Sequence, residues 1–331
     1  MNPAEQLAQF ATGHWVSQMV YAFAKHGMGD ALADQGALAT TVAERCGTRP
    51  DETYRLLRGL AMLGVVREDE QEPQRFSLTE VGALLTSKHP TSMIDQVLLE
   101  AGYEHVSMWT HLADNLVTGE MAPTKVFGQG NYFGLFESRP GHLETFSRAM
   151  SSYTAAETAM ILAMDSLDLS GIRTMVDVGG AFGALLAAVL ERHADMSGIL
   201  FDRADVVERV APTARMQVQA GDFFKSVPSA DGYFLKHILH DWDDDQCLTI
   251  LGHVAAAMQD GARVFIGEFG PVPGPNEPHL SKLFDLHMML CLSGKERSLD
   301  EWGALLQRAG LRIEHVHKSF GPLSVLEAVR A

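Results

Sequence analysis

Apolar side chains recur at three- and four-residue spacing through Leu7, Phe10, Trp15, Met19, Val20 and Phe23, which predicts helix across residues 4–34. So few charges interrupt this stretch that its apolar face needs a partner surface, for example a second subunit. Thr41-Val42-Ala43-Glu44 has the Ser/Thr-x-x-Glu spacing of a capping box and predicts the start of a short helix that Gly47 closes. Pro50 suits the first position of a further helix, Asp51 to Leu63, with Tyr54, Leu57, Leu60, Ala61 and Leu63 as its buried stripe. Val65-Val66 and Phe76-Ser77-Leu78 flank a polar tip, residues 68–74, as a two-stranded wing. Together these elements predict a mostly helical, winged helix-turn-helix domain over residues 1–100.

Residues 101–170 read as a helical connector, with a turn at Pro140-Gly141 and an end at Gly171. Trp109, Phe133, Phe136, Phe146, Met150 and Tyr153 are concentrated there. Each alone suits a helix core, but together they suit the wall of a site for a flat organic ligand. From residue 171 to 331 the pattern alternates strand and helix, predicting an α/β, doubly wound, Rossmann-like sheet. Its strands are expected at Thr174–Val178, Met196–Phe201, Met216–Ala220, Gly232–Leu235 and Ala262–Gly267. An antiparallel terminal hairpin is expected from Leu311–His317 and Ser324–Val329.

The formal net charge of -16 weighs against a nucleic-acid partner, and the wing tip is mostly acidic where a DNA reader would be basic. The winged module is therefore expected to be a dimerisation scaffold rather than a DNA-binding element. Cys46, Cys247 and Cys291 are scattered and odd in number, consistent with free thiols in a reducing compartment, and no metal pairing is visible among them. Neither a signal segment nor an apolar run of membrane length is visible, so a cytoplasmic protein without a membrane partner is expected. The acidic run Asp243-Asp244-Asp245 beside His240 and Asp241 offers metal-ligand chemistry. It is explained more simply as a solvated first helical turn complementing the helix dipole, and no metal is expected.

The glycine-rich turn after the first strand, Asp177-Val178-Gly179-Gly180-Ala181-Phe182-Gly183, brings a ligand against bare backbone. A dinucleotide fingerprint counted from Gly179 would need glycine at 181 and 184, where alanine stands. Asp177, placed where a pyrophosphate would be repelled, suits instead the cationic amino-acid end of S-adenosylmethionine. Asp202, ending the second strand, is placed to accept from ribose hydroxyls, and Gly221-Asp222-Phe223 supplies a carboxylate and a ring for an adenine.

These pieces, followed by Leu235-Lys236-His237-Ile238-Leu239-His240-Asp241-Trp242 and Gly294-Lys295-Glu296-Arg297, occur in order and at compatible spacings. In them the chain resembles the small-molecule O-methyltransferases of the caffeic acid and hydroxyindole O-methyltransferase type, including bacterial enzymes that tailor polyketide and phenazine antibiotics. The winged module resembles that family's dimerisation domain, so the resemblance covers essentially the whole chain and implies a homodimer. It implies S-adenosylmethionine as methyl donor and S-adenosylhomocysteine as product. The donor would be held by Asp177, Gly179, Gly180, Asp202, Arg203, Gly221, Asp222, Phe223, Lys236 and Trp242.

The resemblance further implies that His240 is the base that deprotonates the acceptor hydroxyl, flanked by Glu268 and Glu296, with Asp241 counted in the catalytic set. His237 and His287 are the other histidines weighed for that role. The acceptor pocket is expected to draw on Trp15, Trp109, Phe133, Phe136, Phe146, Met150, Tyr153, His287, Met288 and Leu292, which suits a flat fused-ring phenol. Two departures stand out: Ala181 replaces a usual glycine, and Arg203-Ala204 replaces a common Leu-Pro. A relative that methylates nitrogen or hydroxylates, and a winged-helix regulator, are the alternatives.

Overall fold

Short helices joined by left-handed glycines build the N-terminal part of the chain. In this computed structural model, which describes residues 2–331 and so leaves Met1 of the expected first domain outside, the early helices are α1 (Pro3–Ala11), α2 (Gly13–Lys25), α3 (Met28–Leu32), α4 (Ala39–Cys46) and α5 (Pro50–Met62). Gly27 and Gly47 adopt positive φ where the chain must turn between them. The wing has three strands rather than the two expected, because β1 (Ala37–Leu38) joins β2 (Val66–Glu68) and β3 (Arg75–Leu78) in the order β1-β3-β2.

That extra strand explains why the expected capping box at Thr41 does not form. The chain passes directly from β1 into α4, with Leu38 at the N-cap, and Ala39 donates its N–H to the Gln74 carbonyl at 2.8 Å. Thr41 lies inside the helix. Phe23, Val42, Leu57, Leu60 and Phe76 are wholly buried in the core of this part. Leu7, Phe10 and Trp15 on α1 and α2 lie open, Phe10 with 70% of its surface exposed. Two helices meet here as expected, Leu135–Ser138 and Pro140–Leu162, but Pro140 and Gly141 open the second rather than forming the turn, since proline's fixed φ suits the first helical position.

The chain divides into two compact units: residues up to Thr110 with Leu135–Tyr153, and His111–Gly134 with Thr154–Ala331. The second unit holds a seven-stranded sheet made of β4 (Thr174–Val178), β5 (Ser197–Asp202), β6 (Met216–Ala220), β7 (Ala230–Lys236), β8 (Met258–Glu268), β9 (Leu311–Lys318) and β10 (Ser324–Arg330). Their order is β6-β5-β4-β7-β8-β10-β9. The five strands from β4 to β8 pair in parallel; the inner strands β4 and β7 are buried almost throughout and read as apolar runs, whereas β6 at the sheet edge is mostly exposed. The terminal hairpin is antiparallel as expected, with β10 inserted between β8 and β9. Strand order reverses between β4 and β7, and the ends of these two strands carry the glycine turn and the His240 segment. Among the described residues no helix is long and apolar enough to cross a membrane.

Candidate active site

The turn after β4 is built to bring backbone close to a ligand. Gly179 and Gly183 have φ of +70° and +75°, and a Cβ on Gly180 would lie 2.4 Å from the Asp177 carboxylate. Asp177 itself is buried in β4, and its Oδ2 has no hydrogen-bond partner. Burial pushes this carboxyl up to about 7, with Lys236 pulling the other way. Ala181 carries φ of +50°, a conformation that costs a residue with a Cβ. Its N–H donates to Asp202 Oδ2 at 2.8 Å, which locks the turn to the end of β5.

Asp202 also accepts from the Arg203 N–H at 2.7 Å. The Arg203 guanidinium turns outward and grips Asp205 through two contacts of 3.0 Å. A Cβ on Gly221 would strike the Phe201 ring at 2.2 Å, so only glycine fits there. Asp222 accepts from the Phe224 N–H and pairs with Lys225. Phe223 lies 5.0 Å from Phe224 and 6.2 Å from Trp242, making an aromatic edge beside the glycine turn. Lys236 is engaged by Glu157, at 2.7 Å.

Beyond β7 a single 3-10 turn, Leu239–Asp241, presents His240. Its Nδ1 lies 2.7 Å from Glu296 Oε1 and 3.5 Å from Glu268 Oε2, while Nε2 is 3.5 Å from Asp241 Oδ1. All four groups are buried or nearly so, and one oxygen each on Glu268 and Glu296 lacks a hydrogen-bond partner. Burial opposes a charge on the imidazole, but Glu268, Glu296 and Asp241 outweigh it and hold His240 at about 10. Burial likewise raises Asp241, to about 6, against the pull of His240. Nδ1 is thus the anchored nitrogen and Nε2 the one that no hydrogen bond fixes.

Two residues of the Gly294-to-Arg297 motif hold this turn, and Glu157 holds His237 beside it. Arg297, fully buried, donates to the Leu239 and Trp242 carbonyls at 3.0 Å each, and also pairs with Asp244 at 2.8 Å. Asp244, its side chain still 40% exposed, is thus also a structural partner, and Asp243 caps the following helix with a capping box. Gly294 packs so tightly beneath the turn that a Cβ would lie 1.8 Å from the His240 carbonyl oxygen. Glu157, on the helix Pro140–Leu162, bonds His237 Nε2 at 2.9 Å. The motif signalled Gly294 and Arg297, while Glu157 had no local signature.

His237, His240 and Glu268 are close enough to share an ion. The expected acceptor residues divide between the two units. Trp15, Trp109, Phe136, Phe146, Met150 and Tyr153 belong to the first, where Phe136 and Phe146 sit 4.9 Å apart and Tyr153 donates to Glu100 at 3.1 Å. Phe133, His287, Met288 and Leu292 belong to the second, with Met288 and Leu292 buried and His287 3.8 Å from Cys291 Sγ.

Comparison with known proteins supplies a family for this geometry. Residues 109–312 match the model of an O-methyltransferase domain, and residues 8–88 match an O-methyltransferase dimerisation domain. The chain is 35% identical to the phenazine O-methyltransferase PhzM of Lysobacter antibioticus, covering 97% of this chain and 95% of that one. It is 32% identical to the mitomycin biosynthesis 6-O-methyltransferase of Streptomyces lavendulae, covering 99% and 95%. Among solved structures it is similar to CalO1, a methyltransferase of calicheamicin biosynthesis in its SAH-bound form. The TM-score is 0.90, with 32% identity and full coverage, 100%, of both chains.

Proposed function

Since the chain belongs to the O-methyltransferase family, we propose that it moves a methyl group from S-adenosylmethionine to a hydroxyl of a flat aromatic secondary metabolite, with His240 as general base. The observation that carries this reading is the buried imidazole anchored at Nδ1 by Glu296, with Glu268 behind it. A fused-ring, phenazine- or polyketide-like acceptor is proposed, and the phenazine in the name of one relative supports the fused ring.

The residues fit the donor. The unpartnered Asp177 oxygen faces no protein cation at hydrogen-bond distance and suits an ammonium, and the glycine turn leaves room for a ligand against backbone. Asp202 and Asp222 end adjacent strands as a nucleoside requires, with Phe223 and Trp242 beside them. Bound there, S-adenosylmethionine supplies a methyl group already activated on a positively charged sulfur.

His240 then has one task, to take the hydroxyl proton on Nε2 as the oxygen bonds to carbon. A phenol ionises near pH ~10 and His240 is held at about 10, so the proton transfer is nearly thermoneutral once the ring is neutral, the form that predominates only above that pH. Glu296 fixes the tautomer and, with Glu268, stabilises the imidazolium that forms. Alignment of the acceptor in this water-poor corner supplies the rest of the acceleration. The open apolar face of α1 and α2 is the surface a homodimer would cover, and the acidic wing tip disfavours DNA.

A panel of fused-ring phenols, incubated with the protein and isotopically labelled donor and followed by product mass, tests the assignment. Methylated phenol is expected from the native protein, with a loss of at least ~100-fold for His240→Ala, the contribution typical of a positioned base. Full activity of that variant would remove His240 from the mechanism.

A further inference from the structure

The methyl transfer described above uses one imidazole, yet a second is built into the same corner. His237 directly follows β7 with φ of +53°, in the left-handed region that a non-glycine residue avoids. Its N–H donates to the Gly267 carbonyl at 2.9 Å, so the unusual backbone is held by the sheet. The ring lies 5.0 Å from His240, nearly parallel at 28°, and 4.7 Å from the Phe269 ring.

Both ring nitrogens of His237 meet carboxylates. Nε2 is 2.9 Å from Glu157 Oε1, and Nδ1 is 3.2 Å from Glu268 Oε2. A neutral imidazole has one N–H to give, and an ionised carboxylate has none, so both contacts are satisfied together only by the imidazolium. The other charged or titratable groups around it are Lys236 at the end of β7, His240 and Asp241 in the 3-10 turn, and Glu296 behind His240. Burial works against the charge on His237, and Glu157 with Glu268 outweighs it.

Glu268 Oε2 is therefore shared. It lies 3.2 Å from His237 Nδ1 and 3.5 Å from His240 Nδ1, whereas His240 makes its own short bond to Glu296. We propose that His237 is a positioning residue for methyl transfer: a standing imidazolium, clamped between Glu157 and Glu268, that limits how much of the Glu268 charge reaches His240. Without it, Glu268 would act on His240 alone and hold its proton more tightly. With it, the base releases and accepts its proton in the range an aromatic hydroxyl needs.

This inference rests on His240 as the base, and two measurements test it. Nitrogen-15 spectra of the histidine-labelled protein should show both His237 nitrogens still protonated where an unperturbed imidazole has lost its proton. The pH profile of kcat/KM should rise on an alkaline limb that moves upward by about one unit in His237→Asn, asparagine being tolerant of positive φ. Activity at a fixed pH on that limb would fall about tenfold. Glu157→Gln should shift it the same way, and the double variant no further than His237→Asn. A neutral His237 tautomer, or limbs unmoved in both variants, would overturn the proposal while leaving His240 as the base. Full activity of His240→Ala would remove the base reading itself.

Discussion

Glu296→Gln isolates the charge beside His240 from the hydrogen bond that orients its ring. The amide keeps an oxygen near the place of Oε1, 2.7 Å from His240 Nδ1, and the Glu296 backbone N–H remains held by Asp285 at 3.0 Å. What disappears is one negative charge. Two unit charges ~4 Å apart at an effective dielectric of ~20 interact by about 4 kcal/mol, which at ~1.4 kcal/mol per unit corresponds to roughly 3 pKa units. His240, held at about 10 in the native protein, should fall toward the ordinary imidazole range, with Glu268 still pulling it up.

The signs follow directly. The base exists above its pKa, so the alkaline limb of kcat/KM moves to lower pH in the variant, while the plateau drops because a weaker base takes the proton less readily. A histidine whose folded value is raised stabilises the fold fully below its unfolded value of ~6.5, and loses that contribution as pH rises through its folded value. The variant should therefore lose more stability at pH 6 than at pH 10. Profiles of kcat/KM with a slowly methylated phenol, paired with urea unfolding at the two pH values, check both signs. A limb that moves by less than one unit would refute the electrostatic account of His240.

Gly294→Ala places a Cβ 1.8 Å from the His240 carbonyl oxygen, so the turn must shift. A loss of about 100-fold in kcat is expected from a displacement on the order of 1 Å, with overpacking costing ~1–3 kcal/mol in urea unfolding. Unchanged kcat would show that the turn's position is not critical. Asp177, pushed up to about 7, is ionised above that pH, so calorimetric affinity for S-adenosylhomocysteine should weaken as pH falls from 8 to 6 and become pH-independent in Asp177→Asn. Arg297→Lys removes the fork that meets two carbonyls and Asp244, and should cost ~1–3 kcal/mol per buried group left unpaired, read as a lower urea midpoint.

Elements whose signal is local were readable from the chain. The parallel strands announced themselves as apolar runs, and the glycine turn by residues where a Cβ cannot fit. The pairing of His240 with Glu296 was reachable because both stand in recognisable motifs. Capping at Thr41 failed because β1, two residues long, is held by pairing with Ala37–Phe76 register across the wing, which no local pattern reveals. Glu157 was invisible for a related reason. It is one acid on a helix of 23 residues, and its partner His237 lies eighty positions away, so only the folded helix brings the charge to the sheet. Arg297 reads as a surface residue by composition, and becomes a buried brace only once two carbonyls and a carboxylate converge on it.

The insertion of β10 between β8 and β9 bears on how the enzyme is made. Ser324 opposes Glu268 in the ladder, so the strand that delivers Glu268 to the site has an unpaired edge until β10 arrives. A ribosome releases β8 well before it releases β10, and until then an apolar edge with free N–H and C=O groups is open to the wrong neighbours. The later strand is the one that closes the wall behind His240. Nascent chains stalled short of Ser324 would carry every residue of the site and still lack its frame.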